Sequence, residues 1–109
     1  MKPGGGRAKG RAFEQEIARL LRAIYPDAKR GLQSRDGSEA PDVIFPGWHF
    51  ECKRCRRVHI RSAYQQALDD CAAADSPDIP AVISKDDHGP ILVTLAFQAF
   101  LDLLEKKRD

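Results

Sequence analysis

The sequence predicts one α/β domain, a mixed central β-sheet flanked by helices. Three patterns carry that expectation: apolar residues at helical spacing between Arg11 and Tyr25, alternation about a Pro-Gly turn between Asp42 and Lys53, and a later succession of helix-like, strand-like, strand-like and helix-like stripes. A chain of 109 residues closes a single core but leaves no room for a separate recognition domain. Any substrate must therefore be selected beside the chemistry.

Residues 1–10, with Pro3 and Gly4 to Gly6, hold too little apolar surface to order themselves and are expected as a flexible basic tail before a domain spanning 11–109. Phe13, Ile17, Leu20, Leu21 and Ile24 then mark one buried helical stripe, ended by Pro26. Glu14 and Glu16 flank the stripe on opposite sides at nearly equal angles, so helical geometry does not choose between them. Residues 28–32 read as a short strand, and 33–40, with Ser34, Asp36, Gly37 and Ser38, as a polar loop able to move with substrate.

Asp42 opens the run Val43, Ile44 and Phe45, Pro46-Gly47 turns the chain, and Trp48, Phe50 and Cys52 alternate with His49, Glu51 and Lys53. This is a β-hairpin. Side chains two apart in a strand share a face at about 6.5–7 Å, so Glu51 and Lys53 point one way while Phe50 and Cys52 point into the core. Ser62 is placed to cap a helix to about residue 74, with Tyr64, Ala67, Leu68, Cys71 and Ala72 on its buried side. Residues 80–85 and 91–95 read as strands, and Phe97, Phe100, Leu101 and Leu104 mark a closing helix. There is no internal repeat.

Eighteen Lys and Arg against sixteen Asp and Glu leave a net charge of only +2, so the placement of charge says more than its sum. Arg7, Lys9 and Arg11 open the chain, Arg30 and Arg35 precede Asp42, and Lys53, Arg54, Arg56, Arg57 and Arg61 follow Glu51. Three basic clusters around one carboxylate-bearing hairpin favour a phosphate-rich partner. The DNA contacts expected are Arg7, Lys9, Arg11, Arg30, Ser34, Arg35, Arg54, Arg56 and Arg57. No apolar stretch approaches a membrane span or signal-peptide core, and three cysteines, an odd number, fit reduced thiols. The expected location is the cytoplasm, with no membrane partner.

An aspartate, a glutamate and a lysine that adjoining strands bring to one spot are the parts a metal-dependent nuclease needs. Cleaving a phosphodiester takes a nucleophilic water at neutral pH and relief of the charge that builds on the phosphoryl and leaving oxygens. Mg²⁺ prefers oxygen ligands and keeps several waters, so Asp42 and Glu51 with a scissile phosphate would complete its shell, Mn²⁺ being the expected substitute. A compact lysine cation suits the developing charge.

Pro41-Asp42 followed by Glu51-Cys52-Lys53 resembles the signature of the PD-(D/E)XK nuclease superfamily. The segment KGRAFEQEIARLL, Lys9 to Leu21, is similar to the first helix of archaeal-type and phage Holliday junction resolvases, and the order of parts agrees along nearly the whole chain. The resemblance implies a restriction-endonuclease-like core and a catalytic set of Glu14, Asp42, Glu51 and Lys53. It also implies the Cys52 carbonyl as a further metal ligand, and Lys53 as the group that positions or activates the attacking water. Gln66, in Gln66-Ala67, resembles a helix glutamine that assists some members, although periodicity puts it far from the buried stripe.

The function expected is a Mg²⁺-dependent, structure-selective DNA endonuclease, first a Holliday junction resolvase. The alternatives are a repair or restriction-type nuclease and a non-catalytic DNA-binding module. The resolvases resembled are homodimers, and Ile91, Leu95, Phe97 and Phe100 are candidates for such an interface. A rival zinc reading would use Cys52, Cys55, His59 and Cys71. Strand alternation opposes it, because Cys52 and Cys55 would face opposite sides. His49, His59 and His88 are scattered and read as solvent or phosphate contacts.

Overall fold

The computed structural model describes the backbone of residues 3–31 and 40–108 and the side chains of residues 9–31 and 40–107. In chain order the elements are α1 (Pro3–Leu21), β1 (Lys29–Arg30), β2 (Val43–Phe45), β3 (Trp48–Cys55), α2 (Ile60–Ala73), β4 (Ile79–Asp86), β5 (Ile91–Thr94) and α3 (Phe97–Arg108). They form an α/β arrangement around one five-stranded mixed sheet of order β1-β2-β3-β4-β5. The first three strands are antiparallel neighbours, α2 carries the chain across to a parallel β4, and β5 returns antiparallel at the edge.

The hairpin at the centre of the sequence reading forms with Val43 opposite Phe50 and Phe45 opposite Trp48. Gly47 holds φ +85° in the turn, a conformation in which a side chain would be strained. Trp48 and Phe50 stack nearly parallel with centroids 5.5 Å apart, and Phe45 meets Phe50 edge-on at 6.0 Å.

Helix α1 starts at Pro3, within the segment whose composition predicted a flexible tail. Once a helix is anchored, each added residue needs only its own main-chain hydrogen bond. Its buried face is Phe13, Ile17 and Ala18 with Leu21 at the margin, whereas Leu20 and Ile24, expected inside, are exposed. The stripe has rotated toward Ala18, whose small side chain lets the helix approach the sheet, and Ile24 lies beyond the last helical turn.

A second correction concerns the sheet. The hairpin alternation predicted one core face and one chemical face, but α1 and α2 cover opposite faces. Phe13, Val43, Phe50, Cys52, Ala81 and Ile83 pack on the α1 side, and Ala63, Ala67 and Val82 on the α2 side. Central strands β3 and β4 are consequently buried on both faces, the usual condition of strands joined by a parallel crossover, and His49 and Glu51 lie inside. Helix α2 can sit this close because the residues it buries are Ala63, Ala67 and Cys71. Tyr64 and Leu68 are only half-buried and Ala72 is exposed. Its N-cap is His59, with no side-chain cap bond, rather than Ser62, whose hydroxyl donates back to the His59 carbonyl at 3.3 Å.

At the far edge, Leu95 packs against the α1-side core. Among the described residues α3 has no extended packing against any other element, and Phe97, Phe100, Leu101 and Leu104 are exposed. None of the described helices is long and apolar enough to cross a membrane.

A carboxylate centre at the end of the hairpin

The site grows out of the register. The β2–β3 pairing ends with Val43 opposite Phe50, and the Asp42 amide also donates to the Phe50 carbonyl at 2.8 Å, so Asp42 sits just past the last paired residue, at the open end of the hairpin. One Asp42 carboxylate oxygen, Oδ2, accepts the Cys52 amide at 2.8 Å, which fixes the side chain beside Glu51. Gly31 supports this strand end from the other side. Its amide donates to the Asp42 carbonyl at 2.8 Å, and a β-carbon there would collide with the Pro41 carbonyl.

Glu51 is 3% exposed. Burial, and then the nearby Asp42 and Asp70 carboxyls, push its carboxyl far above the usual carboxylate range. Its Oε1 lies 3.2 Å from Nε2 of His49, which is 1% exposed and whose imidazole pKa burial lowers below its ordinary value despite the opposing pull of Asp70, Asp42 and Asp78. His49 is therefore a buried partner of Glu51, not the solvent or phosphate contact expected. One Asp70 oxygen, Oδ2, is buried and has no hydrogen-bond partner among the described residues. The stripe of Tyr64, Ala67, Leu68, Cys71 and Ala72 that periodicity predicts for α2 leaves Asp70 outside it, although Ala67 and Cys71 are buried as expected. The helix is turned so that Ala63, Ala67 and Cys71 meet the sheet, and Asp70, one turn beyond Ala67, comes with them.

Between Glu14 and Glu16 the fold makes the choice that helical geometry left open. Glu14 is buried and accepts from Arg30 Nε at 2.9 Å, while Glu16 stays at the margin. Burial raises the Glu14 carboxyl, partly offset by that Arg30 hydrogen bond, with Asp42 and Lys53 close enough to act on it electrostatically. Cys52 lies within electrostatic reach of Glu14, Asp42, Glu51 and Lys53. Burial raises its thiol, Asp42, Glu14 and Glu51 raise it further, and Lys53 opposes them.

Lys53, one strand repeat past Glu51, opens onto a depression of about 270 Å³ lined by Lys53, Arg54, Cys55, His59, Ser62 and Gln66 among others. Gln66, which periodicity had set apart, thus shares a wall with Lys53. The basic residues divide. Lys9 pairs with Asp87 at 3.1 Å, Arg54 Nε lies 3.6 Å from the same carboxylate, and Arg30 is held by Glu14. These cations lower the Asp87 carboxyl below its usual range, the Lys9 hydrogen bond contributing most. Arg11, Arg56 and Arg57 are exposed and have no ion pair among the described residues. Ser34, Arg35 and the side chain of Arg7 lie outside the described residues.

Cys52 packs on the α1 side, Cys71 sits in α2 with its thiol toward the Asp78 carbonyl at 3.3 Å, and Cys55 is exposed. Two of the sulfurs a zinc site would need are thus on opposite faces of the sheet. Among the described residues no three His, Cys, Asp or Glu side chains are gathered as a ready metal cage. The oxygen pair Asp42 and Glu51 still suits a hard cation that keeps most of its waters. The buried, mutually repelling carboxyls are an arrangement that a cation would relieve.

Comparison of the chain with models of known protein families, with curated proteins and with solved structures found no match.

Proposed function

We propose that this protein is a Mg²⁺-dependent DNA endonuclease of the PD-(D/E)XK kind with a restriction-endonuclease-like core, and that its substrate is a branched DNA such as a four-way junction. The observation that carries the reading is the pair of buried acids at the end of the hairpin, Asp42 held by the Cys52 amide and close enough to raise the Glu51 carboxyl, with Glu14 within electrostatic reach of both Asp42 and Lys53, and Lys53 opening onto a depression. Structural ion pairing explains it poorly, since three of the four groups are acids and two acids are buried with raised proton affinity.

Asp42 and Glu51 would hold the metal ion, with the Cys52 carbonyl as the further ligand that the resemblance implies; when bound, the ion supplies an activated water and charge relief at the phosphate. Asp42 is held for this by the Cys52 amide and Glu51 by His49. Lys53, at the wall of the depression, orients the attacking water and meets the charge developing on the phosphoryl oxygens. Glu14 keeps Arg30 turned toward the centre, where its guanidinium can bind a phosphate flanking the cut. Arg11, Arg56 and Arg57, exposed and without an ion pair among the described residues, would offer their cations to the DNA backbone, and Gln66, which lines the same depression as Lys53, would touch the bound phosphate or water.

Productive resolution of a junction takes two symmetric cuts, so the proposal includes a homodimer with one site per chain. The decisive experiment is a cleavage panel of four-way junction, flap, nicked and linear duplex with and without Mg²⁺. Metal-dependent cutting of the junction is expected. Binding without cutting under every condition would leave a DNA-binding module.

A further inference from the structure

The least explained part of the molecule is its last helix. Phe97, Phe100, Leu101 and Leu104 fall at i, i+3, i+4 and i+7, the spacing of a helix that buries one stripe. In the described chain nothing covers them: Phe97 is 71% exposed, Phe100 45% and Leu104 44%. A stripe this apolar left in water is expected to find a partner.

An apolar groove of matching kind lies on the same molecule. Ile60, Tyr64 and Leu68 of α2 and Thr94 of β5 line a cleft of about 530 Å³, with Arg61 and Gln65 at its rim. No residue of α3 contributes to its walls. It exists because α2 spends its small side chains on the sheet and turns Tyr64 and Leu68 outward, beside an edge strand with no helix of its own. Leu92, whose strand position shares the Thr94 face, is 48% exposed there.

We infer that α3 is an exchanged arm: the helix of one chain lies in the α2–β5 groove of a second copy, and the second copy's helix lies in the groove of the first. Four features of the chain select a second copy as the occupant. One charge pair matches, since Glu105 flanks the α3 stripe on one side and Arg61 stands at the rim of the groove. The arm is a helical stripe and the groove is apolar, so each fits the other's surface. Arm and groove also meet at one place, because Thr94 lines the groove and only Leu95 and Ala96 separate it from α3. That shared point is where a two-fold axis would relate two reciprocal docks. Finally, seating a stripe of two Phe and two Leu buries on the order of 800 Å² counting both sides, and the reciprocal pair about twice that, within the size of stable interfaces.

The inference rests on the homodimer of the proposed function and adds where the chains join. Sedimentation without DNA tests it independently of cleavage: a dimer that cuts nothing keeps the arm exchange and removes the nuclease. The wild-type chain should sediment as a dimer, and Phe100→Asp and Leu68→Asp should each give a folded monomer by circular dichroism. An equimolar mixture of the two variants should recover a weaker heterodimer, because the Phe100→Asp chain retains a groove and the Leu68→Asp chain retains an arm. Should Leu68→Asp fail to fold, exposed Arg61→Glu takes its place, with loss of dimer restored by Glu105→Arg. A monomeric wild type would overturn the inference. So would a Leu68→Asp chain that stays dimeric, which would mean arm-to-arm or strand-edge contact, or a mixture that stays monomeric.

Discussion

Replacing Glu51 by Gln should destroy cutting and yet make the metal-free protein more stable. Glu51 is buried next to Asp42 and Asp70, and its carboxyl is raised far above its ordinary range. For an acid whose proton affinity is higher folded than unfolded, the folded state holds the extra proton. Stability is then unaffected below the unfolded pKa and falls as pH rises above it, by up to about 1.4 kcal/mol per pH unit until the folded pKa is reached. Gln keeps the volume and a donor toward His49 while removing the charge. The variant should therefore match the wild type near pH 4.5 and exceed it by roughly 1–3 kcal/mol at pH 8, a rise in Tm of about 4–8 °C per kcal/mol for a domain of this size. Mg²⁺ supplies the second half of the test. At ten times its Kd a bound ion stabilises the folded wild type by about 1.4 kcal/mol, and the variant should not respond. Thermal melts across pH with and without Mg²⁺ read all three quantities. A variant less stable than wild type at pH 8, or one that gains equally from Mg²⁺, would refute the reasoning that Glu51 is a strained metal-facing acid.

Asp42→Ala and Lys53→Ala should each lower the cutting rate by about 10³-fold or more with junction affinity retained, because both groups act on the reaction and not on docking; gel shifts beside single-turnover cleavage separate the two. Gly31→Ala should cost roughly 1–3 kcal/mol and reduce activity by driving the Pro41 carbonyl and Asp42 out of place, whereas Gly47→Ala, at φ +85° in the remote turn, should cost about 1 kcal/mol and leave the rate per folded molecule unchanged. Glu14→Gln should impair cutting more than Glu16→Gln, since only Glu14 holds Arg30; equal rates would remove the helix acid from the site. Affinity for DNA should fall with salt, and Arg56→Ala and Arg57→Ala should each flatten the log–log slope by roughly 0.9, while Lys9→Ala, whose cation is paired with Asp87, should change it less.

Local chemistry along the chain sufficed for the hairpin. Alternation from Trp48 to Lys53 and the Pro46-Gly47 turn need no distant partner, and a two-residue period leaves only one register that puts Phe50 inside. Asp42, Glu51 and Lys53 as a local set, two further strands and three helices were legible for the same reason. What the sequence could not rank was anything decided by a surface arriving from elsewhere. Glu14 and Glu16 are equivalent on an isolated helix and differ because packing buries Glu14 beside Arg30 and leaves Glu16 at the margin. His49 and Asp70 join the centre because α2 closes the second face of the sheet, and the turn of that helix is set by the fit of Ala63, Ala67 and Cys71 against β3 and β4. Periodicity reports that a helix has an apolar face but not what meets it. That is why α2 and α3, similar as patterns, end differently: one packs its small residues on the sheet, and the other, too bulky and placed past the last strand, keeps its Phe and Leu stripe in the open.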